Sequence, residues 1–226
     1  GLGSSGGFTV CLINAILNLK NKSYSKKKIS EIAFEIEHKI LNEPVGKQDQ
    51  YACAIGGINE FYFNKNNSVS IKKINLSKNL LNNLNKNLVI FFTGYSRESY
   101  KILDFQNKQT LKLNKDMIKN LDMIKEIGKN SKKALEKKNF NEFGEIMNYH
   151  WQLKKKRSPN MTNKKIDYLY DYAIDNGAIG GKLIGAGGGG FLMFYSKKPN
   201  QLIGAFKNKL SQLDYKFDHV GLKIIE

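Results

Sequence analysis

A two-part α+β fold is predicted by three observations. Apolar residues recur at helical spacing through several long stretches. Between these lie short runs of aromatic and β-branched residues bounded by turn formers, the pattern of strands. An Asn/Lys-rich connection over 75–87 separates two apolar regions and predicts an N-terminal domain over 1–86 and a C-terminal domain over 87–226.

The elements follow in order. Gly1–Gly7 is a glycine/serine loop, and Phe8, Cys11, Leu12, Ala15, Ile16 and Leu19 then fall at helical spacing. Residues 26–41 read as a second helix with the stripe Ile29, Ile32, Ala33, Ile36 and Ile40. Pro44 ends it, because proline lacks the N–H a helix interior needs, and residues 46–50 read as a polar break. The Gly56-Gly57 pair precedes a strand over 58–63, a turn over 64–68 and a partner strand over 69–74. Residues 75–87 read as a surface connection with one short helical piece, and Leu88–Phe92 as a short buried strand. Amphipathic helices are expected at 112–138, 140–155 and 163–176, then a glycine-rich turn over 183–190 and a strand over 191–195. A helix at 200–212 and closing strands at 215–217 and 222–225 complete the chain. No internal repeat stands out.

Composition narrows the function. The chain has 226 residues, 41% of them hydrophobic, enough to bury a core. No apolar run reaches the roughly 18–20 residues of a transmembrane helix, so no membrane partner is expected. Cys11 and Cys53 form no CxxC pattern, which argues against a disulfide framework or zinc site and makes a reducing cytoplasm the expected location. The net charge of +17 is carried by 35 Lys and only 2 Arg, beside 26 Asn. Readers of bases and phosphates lean on arginine's planar fork. The composition fits AT-rich coding more simply, and no specific nucleic-acid partner is expected. The charge should attract phosphorylated metabolites, with the useful part near Gly1–Gly7, Lys47, Arg97 and Lys182.

Three constellations carry chemistry. The loop Gly1-Leu2-Gly3-Ser4-Ser5-Gly6-Gly7 leads straight into a helix. Small residues let backbone amides approach phosphate oxygens, and a helix start presents unpaired N–H groups. Glu37 and Asp49 stand twelve residues apart, the second in Gly46-Lys47-Gln48-Asp49-Gln50. One carboxylate beside a phosphate loop suits magnesium, and another could take a proton from a substrate hydroxyl. Gly185-Ala186-Gly187-Gly188-Gly189-Gly190 spends more backbone entropy than a simple turn needs, so the main chain must pass close to a neighbour or ligand. His38, His150 and His219 are scattered, Trp151 and the tyrosines read as core and rim, and Lys154-Lys155-Lys156-Arg157 reads as a solvated helix end.

Together and in order, these segments resemble the GHMP sugar kinase family, whose second and third motifs look like Gly1–Gly7 and Lys182–Gly190. Glu37 and GKQDQ resemble the family's magnesium-binding Glu and catalytic segment. The stretches 43–51, 92–97 and 151–154 look most similar to the D-glycero-D-manno-heptose 7-phosphate kinases, and L-fucokinases carry similar segments. The resemblance implies a ribosomal-protein-S5-type N-terminal domain, partial here, followed by a ferredoxin-like C-terminal domain. It implies ATP and Mg²⁺ as cofactors and a phosphorylated sugar as substrate. Gly1, Leu2, Gly3, Ser4, Ser5 and Gly6 would bind the ATP phosphates, Ser5 and Glu37 the magnesium. Asp49 would be the catalytic base. Arg97, Gly187, Gly188 and Gly189 would contact the substrate. Two departures accompany it. Gly6-Gly7 replaces the usual Ser/Ala pair, and the family's portion before the phosphate loop, with its sugar-binding motif, is not in the sequence. A separate N-terminal chain would then be a partner, or a homo-oligomer would form.

Overall fold

The computed structural model describes residues 2–95 and 99–225. The chain forms two compact units, one of Gly3–Asn75 with Phe217–Glu226 and one of Gly1–Leu2 with Leu76–Lys216. The sequence suggested a partition at 86/87. The compact units divide at 75/76: the helix that begins in the Asn/Lys-rich stretch runs straight into the following strand, and the chain's last segment returns to the first unit.

The first unit holds helices α1 (Ser4–Leu19) and α2 (Lys26–Glu35), a π-turn at Ile36–Ile40, and helix α3 (Gln48–Ile55). The hairpin β1 (Asn59–Phe63) and β2 (Val69–Lys73) follows, paired antiparallel with Phe61 opposite Ile71. Its core gathers Val10, Ile29, Ala33, Ala54 and Leu222. The expected strands at 215–217 and 222–225 are not formed. Single hydrogen bonds tie the returning segment instead, from Gly57 N–H to Asp218 O at 2.7 Å and from Leu222 N–H to Ala54 O at 3.0 Å. Gly56 and Gly221, each at φ 68°, pass so closely that a Cβ on either would overlap the other's backbone.

The second unit holds α4 (Lys78–Asn87), β3 (Leu88–Phe92), α5 (Ser99–Leu111), α6 (Lys115–Glu136), α7 (Phe140–Lys155) and α8 (Lys164–Asp175). It continues with β4 (Ala178–Leu183), β5 (Phe191–Ser196), α9 (Pro199–Phe206) and β6 (Ser211–Gln212). The sheet order is β4-β5-β3-β6, antiparallel throughout. Central β3 buries its Leu-Val-Ile-Phe run, as a strand covered on both faces must. Trp151, Phe194 and Phe206 are at 0% exposure, and the Phe91 and Phe206 rings stack at 4.5 Å. Full burial of side chains this size stabilises by roughly 1.5–3 kcal/mol each. Helix α7 lies directly on β4, because Gly180 faces Gly144 and a Cβ on Gly180 would overlap the Gly144 carbonyl.

Part of the asparagine content is explained by capping. Asn114, Asn139 and Asn163 accept from the amides of Met117, Glu142 and Ile166, and Ser25 and Ser77 cap α2 and α4 in the same way. Such caps contribute about 1 kcal/mol each. Helix α5 was not expected, and Leu113 in the left-handed region (φ 53°) separates it from α6. Helix α9 stops short of the expected 212 because Ser211 and Gln212 pair with β3.

Candidate active site

Helix α1 opens without a cap. Gly3 precedes it in the left-handed conformation (φ 73°, ψ 25°), no side chain accepts from its first amides, and no acid stands in its first turn. The first helical bond runs from Gly7 N–H to Gly3 O at 2.9 Å. The amides of Ser4, Ser5 and Gly6 therefore have no acceptor within the helix. The positive end of its dipole is left for an anion.

Helix α3 begins beside it. Asp49 stands in the first turn of α3 rather than in a loop, where an acid favours the helix start, and Tyr51 and Ala54 supply the buried face that makes the segment helical. A Cβ on Gly3 would lie 3.5 Å from Asp49 Cγ. One on Gly6 would lie 3.1 Å from Gln50 N, tighter than nine in ten real Cβ contacts. Glycine at position 6 lowers helix propensity by up to ~1 kcal/mol, and this backbone crossing is what its missing side chain permits. Asp49 is exposed on its outer side. Partial burial against the neighbouring turn raises its pKa above the ordinary value, and the negative charge of Glu37 adds to the rise.

Glu37 lies in the π-turn that widens the end of α2 and is 3% exposed. Its Oε1 accepts from Thr9 Oγ1 at 2.7 Å and its Oε2 from Gln50 Nε2 at 2.5 Å. The Thr9 hydroxyl also lies 3.0 Å from the Ser5 carbonyl. It has one hydrogen, and the carboxylate is the stronger acceptor. Glu37 thus links α1, at Thr9, to α3, at Gln50, which follows Asp49 directly. Burial first, then Asp49, Cys11 and Glu37, raises the Cys53 thiol pKa, and Cys53 Sγ lies 3.7 Å from Gly3 O.

Among the described residues no three His, Cys, Asp or Glu side chains are grouped as a metal cage. A dication here would rest on one or two carboxylates, a hydroxyl and the oxygens of a bound phosphate, which is how magnesium is commonly held. Each Glu37 oxygen keeps a second lone pair after its bond to Thr9 or Gln50. Ser5 stands one turn before Thr9 on α1. These hard oxygens fit the ion.

The first unit therefore brings together Gly3, Ser5, Gly6, Glu37 and Asp49. Ser4 is exposed at the helix start and Leu2 is 45% exposed. Gly1 and Arg97 lie outside the described residues. Lys47 is committed locally, donating to Asn67 O at 2.6 Å with its ammonium 5.2 Å from the centre of the Phe34 ring. Thr9 and Gln50 escaped the sequence reading. Their signals were a hydroxyl one turn after Ser5 and a glutamine adjoining Asp49.

Gly187, Gly188 and Gly189 are buried in the second unit. A Cβ on Gly187 (φ 124°) would overlap Met161 Sδ, and one on Gly189 would lie 3.0 Å from Tyr95 O. The Gly188 and Gly190 amides donate to the carbonyls of Met161 and Tyr95, both at 2.9 Å. The glycines thus let the turn pack against two neighbouring segments. Lys154 is not part of a solvated helix end, being only 6% exposed.

Residues 1–57 match the profile of the GHMP kinases N terminal domain and residues 131–212 that of the GHMP kinases C terminal, together more than half of the chain. The chain belongs to the GHMP kinase family. It is 32% identical, over 99% of its length, to a D-glycero-alpha-D-manno-heptose 7-phosphate kinase of Campylobacter jejuni, and spans 66% of that relative. It is 26% identical, over 87% of its length, to a bifunctional fucokinase/GDP-fucose pyrophosphorylase of Arabidopsis thaliana, of which it spans 19%. Among solved structures it is similar to a "D-glycero-D-manno-heptose 1-phosphate kinase from Bacteriodes thetaiotaomicron", with TM-score 0.75 and 27% identity, covering 100% of this chain and 64% of that one. The chain thus spans just under two thirds of these heptose-phosphate kinases. Among its described residues no helix is long and apolar enough to cross a membrane.

Proposed function

We propose that the protein is an ATP-dependent sugar kinase that transfers the γ-phosphoryl group to the anomeric hydroxyl of a heptose 7-phosphate. The observation that carries this reading is Asp49, a carboxyl with a raised pKa set against Gly3 at the uncapped start of α1. Phosphoryl transfer asks mostly for positioning and charge neutralisation. The residues Gly1–Gly6 would hold the nucleotide phosphates, chiefly through the open amides of Ser4, Ser5 and Gly6. Asp49 accepts the hydroxyl proton as the sugar oxygen bonds to the γ-phosphorus, and ADP departs with the electron pair of the broken P–O bond. A carboxyl shifted upward holds that proton better than an ordinary one. Ser5 and Glu37 would hold Mg²⁺, which when bound neutralises charge on the phosphates.

The product, a heptose 1,7-bisphosphate, would feed nucleotide-activated heptose for surface polysaccharide such as lipopolysaccharide or capsule. The test is product analysis by ³¹P NMR after incubation with MgATP and either heptose 7-phosphate or L-fucose. A new anomeric phosphate on the heptose is expected. Transfer to fucose alone would replace this reading with a fucokinase one.

A further inference from the structure

In the second unit, the end of α7, the turn after it and β4 gather four basic side chains. Lys182 Nζ lies 3.3 Å from His150 Nδ1. The ammonium can only donate, so Nδ1 accepts and the imidazole is neutral. Lys154 Nζ donates to Leu183 O at 2.8 Å and Gly185 O at 2.5 Å, at the mouth of the glycine-rich turn. Arg157 follows on the turn after α7, and its Nε is buried without a partner.

Among the described residues, no acid pairs with any of the four. Asp167, the acid that reaches this end of α7, is engaged by Lys155 at 3.7 Å and Thr162 at 2.9 Å. Burial and the neighbouring charges shift the pKa values of the group. Burial, then Lys182, Arg157 and Lys154, pushes His150 down to about 3. Burial, then Arg157, pushes Lys182 down to about 8. Burial, then Lys182 and Arg157, holds Lys154 well below its ordinary value. Like charges kept together and desolvated cost stability unless an opposite charge joins them.

We propose that Arg157, Lys182 and Lys154 form a binding site for a phosphate monoester dianion, as carried by a phosphorylated sugar. Arg157 supplies a planar fork and the lysines supply point charges, the donor chemistry that phosphate takes. The cluster then has the role that the sequence alone gave to Arg97. Naming the sugar as the carrier rests on the kinase reading; the phosphate site itself does not.

Inorganic phosphate, heptose 7-phosphate, the same heptose without phosphate, and MgATP are titrated separately by calorimetry and thermal shift. The proteins are the wild type, Arg157→Gln, Lys182→Met and the exposed control Lys156→Ala. Each of the first two variants should weaken phosphate and heptose 7-phosphate at least about 10-fold, the scale of one lost charge-assisted contact. Their ligand-free melting temperature should hold or rise, because buried like charges have been removed. MgATP binding and the Lys156→Ala control should be unaffected. Retained phosphate affinity with a lowered melting temperature would make the cluster structural and overturn the proposal. Equal loss of MgATP affinity would give the site to nucleotide phosphates and overturn it too. If phosphate binding is lost as expected but no sugar phosphate is phosphorylated, the site stands and the kinase reading falls. If transfer occurs and the variants bind normally, the reverse holds.

Discussion

Replacing Glu37 tests how the first unit holds its two helix starts together. The side chain is 3% exposed and accepts from Thr9 and Gln50. Glu37→Ala removes both acceptors. Thr9 can fall back on the Ser5 carbonyl 3.0 Å away, so its hydroxyl is not stranded. Gln50 Nε2 has no such alternative, and a buried unsatisfied donor costs about 1–3 kcal/mol. Lost packing adds about 1 kcal/mol, giving a destabilisation of about 2–4 kcal/mol and a melting temperature lower by roughly 5–12 °C for a chain this size. Glu37→Gln should be far milder, about 1 kcal/mol or less. The introduced amide can keep its carbonyl toward Gln50 Nε2 and turn its nitrogen toward Thr9 Oγ1, whose hydroxyl then donates to the Ser5 carbonyl, so every donor stays satisfied. Urea and thermal unfolding of the two variants give the ranking. Equal losses for both, or an alanine variant as stable as wild type, would refute the proposed linkage.

Two further outcomes follow from the same geometry. Gly6→Ala should improve helix propensity on paper yet lose about 1–3 kcal/mol through overpacking, because its Cβ would press on the α3 backbone at 3.1 Å; a melting temperature above wild type would contradict the close crossing. The basic cluster sets a pH dependence. With His150 at about 3 when folded and near 6.5 when unfolded, the unfolded chain binds the extra proton, so stability is lost as pH falls from about 6.5 toward 3. With Lys182 at about 8 folded against 10.5 unfolded, stability rises as pH climbs through that window. His150→Asn should flatten the first arm and Lys182→Met the second, in unfolding curves taken across pH; arms that persist unchanged would mean other groups set them.

Much of this was legible in the sequence, and the exceptions have physical causes. The strands β1, β2, β3 and β5 and the helices α6, α7 and α8 carry strong periodicity, and the glycine/serine loop announces the helix start that follows Gly3. The α+β class and the kinase family follow from these and from the order of the motifs. Several features were hidden. Asp49 looked like a loop residue because Gly46 and its polar neighbours mask a helix whose buried face begins only at Gln50 and Tyr51. The closing segment looked like strands because an alternating apolar pattern does not reveal that Gly56 and Gly221 meet backbone to backbone. Lys154 and Arg157 looked solvated because a run of four basic residues usually is. Here helical rotation turns Lys154 inward, onto carbonyls at the end of β4 and just beyond it, while Lys156 stays exposed. Partners that lie far apart in sequence, such as Thr9 and Glu37, leave no local trace.

The central claim is that Asp49, beside the open start of α1, takes the substrate proton. The direct measurement pairs calorimetric ATP binding with steady-state phosphoryl transfer to heptose 7-phosphate in wild type and Asp49→Asn. The account predicts ATP affinity within about threefold of wild type and turnover lower by ~10²-fold or more, the usual scale for a positioned general base. Turnover close to wild type in Asp49→Asn, with ATP still bound, would contradict it.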